Sequence, residues 1–126
     1  MINTSKIKKQ KWESKRKRLK YNLKQKNNNN LPRLIVFRSN KNIFTQLIDD
    51  ENSKTIVSVS SIDNELKGDI AKADNKIAIS TIVGKAIAEK MKKANIKTII
   101  FDRNGYKYHG RIKAVGDAIR SSEIQI

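Results

Sequence analysis

The apolar positions of this chain change period from one segment to the next. Leu34-Ile35-Val36-Phe37 is a short unbroken apolar run within Arg33–Arg38, the pattern of a strand buried on both faces. Ser39-Asn40-Lys41-Asn42 follows as a turn signal. Residues 43–48 alternate in part and run into a second turn, Asp49-Asp50-Glu51-Asn52. Lys54–Ser60 sets Ile56, Val57 and Val59 among Ser and Thr. Three strands joined by short turns predict an antiparallel meander.

Residues 61–75 are polar and irregular, with room for one helical turn. From Lys76 to Ala94 the period switches to 3.6: Ile79, Ile82, Val83, Ala86, Ile87 and Met91 fall on one helix face. Asp74 or Asn75 suits the N-cap, Lys90, Lys92 and Lys93 suit the negative end of the dipole, and Asn95 is a stop. Gly84 is costly inside a helix unless it lets the helix approach the sheet. Thr98–Phe101 predicts a fourth strand, and a strand–helix–strand connection implies a right-handed crossover with a parallel pair. Residues 111–120 predict a short helix with Ile112, Val115 and Ile119 on one side and Ala118 beside them. The fold class is therefore α/β in the mixed α+β sense: a βββαβα order, with two helices packed on a mixed sheet.

Ahead of this domain the pattern fails. The first 30 residues carry eleven Lys and Arg against a single acid, Glu13, so they hold most of the net charge of +16. Trp12, Leu19 and Leu23 have helix-compatible spacing, but there is too little apolar area for the segment to fold alone, and its like charges repel. Residues 1–30 read as a basic arm, partly disordered or helical on a polyanion, and residues 31–126 as a single globular domain. Asn27 to Asn30 are a polar linker, and Pro32 opens the domain with Leu31 extended before it.

Composition narrows the chemistry. A chain of 126 residues at +16 is more basic than solubility requires, and nucleic acid, an anionic membrane and an acidic protein are the partner classes. The chain has no Cys and one His, His109, which argues against a disulfide framework and a zinc site. No apolar run approaches the roughly 20 residues of a membrane span, and nothing at the N-terminus reads as a secretory signal. Residues 6–20 are too uniformly charged for an amphipathic membrane helix. No serine sits on a strand-to-helix elbow to make a triad with His109, and the glycine spacing matches no nucleotide-binding fingerprint.

The loop Phe101-Asp-Arg-Asn-Gly-Tyr-Lys-Tyr-His-Gly-Arg111 carries the most information. It interleaves two tyrosines and a histidine with Arg103, Lys107 and Arg111. Flat rings stack on unpaired bases and cations hold phosphates, so the loop points to RNA. Gly105 reads as a positive-φ turn, and Gly110 as the start of the last helix, where free N–H groups can receive a phosphate. The rival reading is a metal-dependent nuclease, because the predicted topology resembles that of ribonuclease H. Asp49, Asp50, Glu51 and Asp102 would supply its Mg²⁺ ligands. The first strand carries no acid to bridge two metals, however, and pairing of Asp102 with neighbouring Arg103 or Arg111 is the simpler account.

Pro32-Arg-Leu-Ile-Val-Phe-Arg-Ser-Asn-Lys41, Gln46-Leu-Ile-Asp-Asp50 and the 101–111 loop, in that order, resemble the bacterial-type family of large-subunit ribosomal protein eighteen over essentially the whole chain. The resemblance implies a non-enzymatic constituent of the large ribosomal subunit. It would bind 5S rRNA and help attach it to the large-subunit rRNA, beside neighbouring ribosomal proteins, in the central protuberance. No cofactor, metal, membrane or small-molecule substrate is expected. The expected setting is the cytoplasmic ribosome, with an organelle matrix left open. The expected RNA contacts are Lys15, Arg16, Lys17, Arg18 and Lys20 in the arm, with Arg33, Arg38, Ser39, Asn40 and Lys41 around the first strand. The loop adds Arg103, Tyr106, Lys107, Tyr108, His109, Gly110 and Arg111. Asn104 stands where the family often has Gly.

Overall fold

The computed structural model describes residues 9–19 and 30–126. Lys20, Leu23 and the first three linker asparagines lie outside the described residues. Residues 9–19 form helix α1. The strands are β1 (Arg33–Arg38), β2 (Ile43–Asp49), β3 (Lys54–Ser60) and β4 (Ile100–Asp102). A 3-10 turn at Asn64–Leu66 leads into the short helix α2 (Lys67–Ala71). Helices α3 (Lys76–Lys93) and α4 (Gly110–Ser121) complete the domain. The sheet order is β3-β2-β1-β4, antiparallel except for the parallel β1–β4 pair. The mixed βββαβα architecture is as the periodicity predicts. Strand β4 begins two residues later than expected, because Thr98 instead bridges Gln125 of the C-terminal segment.

Alternation along the strands sorts the residues into two faces. Leu34 and Val36 of β1, Ile43 and Leu47 of β2 and Val59 of β3 join Val83, Ile87 and Met91 of α3 and Ile112, Val115 and Ile119 of α4 in one buried core. The other parity behaves differently. Phe37 is 44% exposed and packs against Phe44 of the neighbouring strand at 6.1 Å between ring centroids. The expectation that β1 is buried on both faces is therefore corrected. An unbroken apolar run does not distinguish a two-sided core from an apolar face left open.

Helix α3 begins where Asn75 caps it, its side chain accepting from the Ala78 N–H at 2.8 Å. It ends before Asn95, which takes a positive φ of 60°. Gly84 also has a partner other than the one expected. A Cβ there would lie 2.8 Å from both the Ala118 Cβ and the Val115 carbonyl oxygen. The missing side chain thus lets α3 approach α4, not the sheet.

One polar cluster is built into the domain. Arg33 is 5% exposed and Asp102 is fully buried. Arg33 Nη1 donates to Asp102 Oδ2 at 2.6 Å, while its Nε and Nη2 grip Asp50 at 2.9 and 3.0 Å. Burial opposes the Arg33 charge, but the bonds to Asp50 and Asp102 outweigh it and raise its pKa above the ordinary value. The partner of Asp102 is thus Arg33, across the parallel β1–β4 pair, and neither Arg103 nor Arg111. Asp102→Ala removes the buried counter-charge and also the acceptor of the Asn104 N–H. Stability in urea unfolding should fall by about 3–5 kcal/mol, as for other broken buried pairs. A loss under about 1 kcal/mol would mean that water already reaches Arg33.

Candidate nucleic-acid interface

The predicted contact residues separate into three groups. The first comes together at one end of the sheet. The turn after β1 is closed by the Ser39 N–H donating to the Asn42 carbonyl at 2.9 Å and the Asn42 N–H donating to Ser39 Oγ at 3.1 Å. This leaves Ser39, Asn40 and Lys41 exposed. The 101–111 loop folds back onto this turn. Arg111 Nη1 donates to the Ser39 carbonyl at 2.8 Å, and the Tyr106 hydroxyl donates to the Arg38 carbonyl at 3.3 Å. Arg38 also lies over the Tyr106 ring, 5.0 Å from its centroid. Partial burial and the nearby Arg38 charge push the Arg111 pKa below its ordinary value. Among the described residues, neither Arg38 nor Arg111 has a carboxylate partner. Two neighbouring cations with no internal counter-charge favour an external anion.

The second group is the arm. Lys15, Arg16, Lys17 and Arg18 all lie on α1, with Lys17 and Arg18 exposed. The helix lies against the loop: Arg16 Nε donates to Asn104 Oδ1 at 2.9 Å, and the Trp12 and Tyr106 ring centroids are 5.5 Å apart. Leu19, at the far end of α1, lines a cleft with Phe101, Arg103, Tyr108 and Arg120. Lys107 and His109 are exposed beside it, and Gly110 opens α4 with φ 56°.

The third group is committed to packing. Arg33 is held by Asp50 and Asp102 and is only 5% exposed, so it has little surface to offer RNA. Its position next to Pro32 gave no sign of this, because the partners are 17 and 69 residues away. Tyr108 meets Phe101 edge-on at 5.8 Å, lies against Gly116 and accepts a hydrogen bond from Arg120 Nη1 at 3.2 Å. Burial raises its pKa, with the Arg120 charge opposing.

The same accounting bears on the nuclease reading. Asp50 and Asp102 neutralise Arg33. Asp49 accepts from the Asn52 side chain and from the N–H groups of Glu51 and Asn52. The Asn52 contact is the main cause of its lowered pKa. Among the described residues no group of three potential ligands could hold a metal ion. The acids shape turns and balance one arginine.

Asn104 and Arg120 were missed as site-shaping residues. Asn104 is buried and takes φ 56°, a left-handed conformation that Asn tolerates better than most residues. The Asn-Gly pair announces the turn in the sequence, though not what the Asn side chain holds. Nothing local marks Arg120, which reaches Tyr108 only because α4 folds back.

A basic platform whose Arg38 and Arg111 have no carboxylate partner among the described residues, with a cationic helix beside it, has the features of a small protein suited to a polyanionic partner. Comparison with known proteins gives the family. Residues 6–126 match the family described as ribosomal L18 of archaea, bacteria, mitochondria and chloroplasts, and the chain belongs to that family. The large ribosomal subunit protein uL18 of Fusobacterium nucleatum is 58% identical over 91 residues, covering 72% of this chain and 74% of the relative. That of Methylobacterium radiotolerans is 50% identical over 97 residues, 77% of this chain and 80% of the relative. That of Gluconobacter oxydans is 43% identical over 108 residues, 86% and 88% respectively.

Tyr108 provides a test of the grouping. Its removal should cost about 2 kcal/mol, below the 3–5 typical of a fully buried aromatic because the ring is partly exposed. Thermal unfolding of Tyr108→Ala should therefore show a clear drop in Tm, and Tyr108→Phe should retain most of it. An unchanged Tm would return the ring to the set free to stack on a base.

Proposed function

We propose that this large-subunit ribosomal protein binds 5S rRNA and helps attach it to the large-subunit rRNA in the central protuberance. The observation that carries this reading is the Arg38–Arg111 pair beside the exposed Ser39–Lys41 turn, with no carboxylate partner among the described residues and a cationic helix on the same loop. Family membership supports a ribosomal RNA as the polyanion.

The parts divide the work. The arm supplies charge: each phosphate it neutralises releases condensed counterions, so affinity falls steeply with salt. The platform supplies geometry. Arg38, Lys41, Lys107, His109 and Arg111 contact phosphates and 2′-hydroxyls, and the first N–H groups of α4, which lack intrahelical acceptors, add donors. The major groove of A-form RNA is too deep and narrow to offer base edges, so shape dominates over base reading.

Footprinting the full chain on 5S RNA and on an unrelated structured RNA tests the reading directly. Protection confined to 5S RNA is expected, and equal protection of both would reject it. With Mg²⁺ present the RNA should stay intact. Arg38→Ala and Arg111→Ala should each weaken 5S binding by about 1–3 kcal/mol, the range for charge-assisted contacts. Deleting residues 1–30 should flatten the salt dependence of binding, and an unchanged slope would remove the arm from the interface.

A further inference from the structure

We propose that the Asn104-Gly105-Tyr106 turn is a seat for α1. Trp12, Gly105 and Tyr106 act there as positioning residues that aim the arm's cations at the same RNA surface the Arg38–Arg111 patch holds. The inference rests on the RNA-binding reading above and adds to it how two separate cationic elements act on one ligand.

The contact is direct and specific. Gly105 has φ +84°, and a Cβ on it would lie 2.8 Å from Cγ of Arg16 and 3.2 Å from Nε1 of Trp12. Helix α1 therefore reaches the backbone of the turn at the one residue without a side chain. Asn104, beside it, is 2% exposed. Its N–H is held by Asp102 at 2.8 Å while its side chain accepts from Arg16 at 2.9 Å. The seat is thus fixed from the strand side and occupied from the arm side.

From there the contacts run as a ladder of cations and rings. Arg16 lies 4.7 Å from the Trp12 ring centroid, Trp12 lies 5.5 Å from Tyr106, and Tyr106 lies 5.0 Å from the Arg38 guanidinium. Cations over aromatic faces and tilted ring pairs are attractive contacts. The ladder begins in the arm and ends in the patch. It also engages Tyr106, one of the two loop tyrosines that the sequence offers for base stacking.

A seat changes what the arm contributes. A short helix crowded with Lys9, Lys11, Lys15, Lys17 and Arg18 is marginal by itself. Anchored through Trp12 and Arg16, it presents the remaining cations at a fixed distance from Arg38 and Arg111. The second set of phosphate contacts then forms at high effective concentration, without a search by a free tail.

The test uses full-length chain and 5S RNA. Trp12 is the only tryptophan, so its quenching by acrylamide reports on the arm alone. Gly105→Ala and Trp12→Ala should each weaken binding about tenfold and flatten the salt dependence. The double variant should bind no worse than either single one, since both remove the same docking. In the Gly105→Ala complex, Trp12 should be more open to quencher than in the unsubstituted complex. Losses that multiply in the double variant, or Trp12 equally protected in both complexes, would overturn the seat. If Gly105→Ala unfolds the loop, Trp12→Ala leaves the turn backbone intact, and its salt slope decides alone: a slope equal to that of the unsubstituted chain overturns the proposal. Failure of the unsubstituted chain to prefer 5S RNA would instead reject the functional reading, while Trp12 protection on any RNA it binds would still report on the seat.

Discussion

The site depends on the bond between Arg33 and Asp102. It joins the first and last strands side by side, 69 residues apart in sequence, at the edge where the loop leaves the sheet. Asp102 divides its oxygens: Oδ2 takes Arg33 and Oδ1 takes the Asn104 N–H. One carboxylate thus fixes both the end of β4 and the first bend of the loop. Asn104 then receives Arg16, so a line of hydrogen bonds runs from Asp50 through β1 and β4 to the arm. An apolar pair would close the strands equally well, but it would hold no donor on the loop. A buried ion pair offers little net stability. Here the directional bonds position the loop.

That arrangement sorts the cations of a very basic chain into two populations. Arg33 is matched by two acids and removed from the surface. Arg38 and Arg111 have no carboxylate partner among the described residues, and the Arg38 charge disfavours that of Arg111. Mutual repulsion of this kind is a standing cost of the free protein, and an anion bridging the pair relieves it. The acids that might have neutralised the patch are engaged with Arg33 and with the turn at Asp49. Charge segregation in the folded domain thus follows from side-chain pairing as much as from the count of lysines.

The sequence shows the scaffold far better than the sorting. The strands, the capped α3 and the apolar side of α4 follow from local periods, and β1 and β3 match the expected bounds residue for residue. Periodicity does not report how many faces of a strand are covered, which is why Phe37 emerges exposed. Nor does it report long-range partners. Arg33 lies in a motif full of cations and reads as one more contact, yet its role depends on acids brought in by β4 and by the turn after β2. Gly84 is legible as an anomaly, but the neighbour it admits is set by the packing of α3 on α4. The 101–111 loop was identified by its residue types. The division of its tyrosines between a ladder to the arm and a pocket on α4 depends on what folds over each ring, and no spacing rule contains that.

The fate of those rings constrains how RNA is read. A base stacking on Tyr108 would have to displace Phe101 or Arg120. One stacking on Tyr106 competes with Trp12 or Arg38. Each exchange gives up an existing contact of comparable kind, so the net gain is small. The cations carry no such penalty, because Arg38 and Arg111 lack carboxylate partners among the described residues and Lys17 and Arg18 are exposed. On the proposed reading, recognition would be weighted toward phosphate positions and the outline of the folded RNA. If the arm and the platform act together as proposed, discrimination between RNAs would depend on whether they meet two backbone segments at the right separation, a distance that docking of the helix on the loop would set and an undocked tail would not.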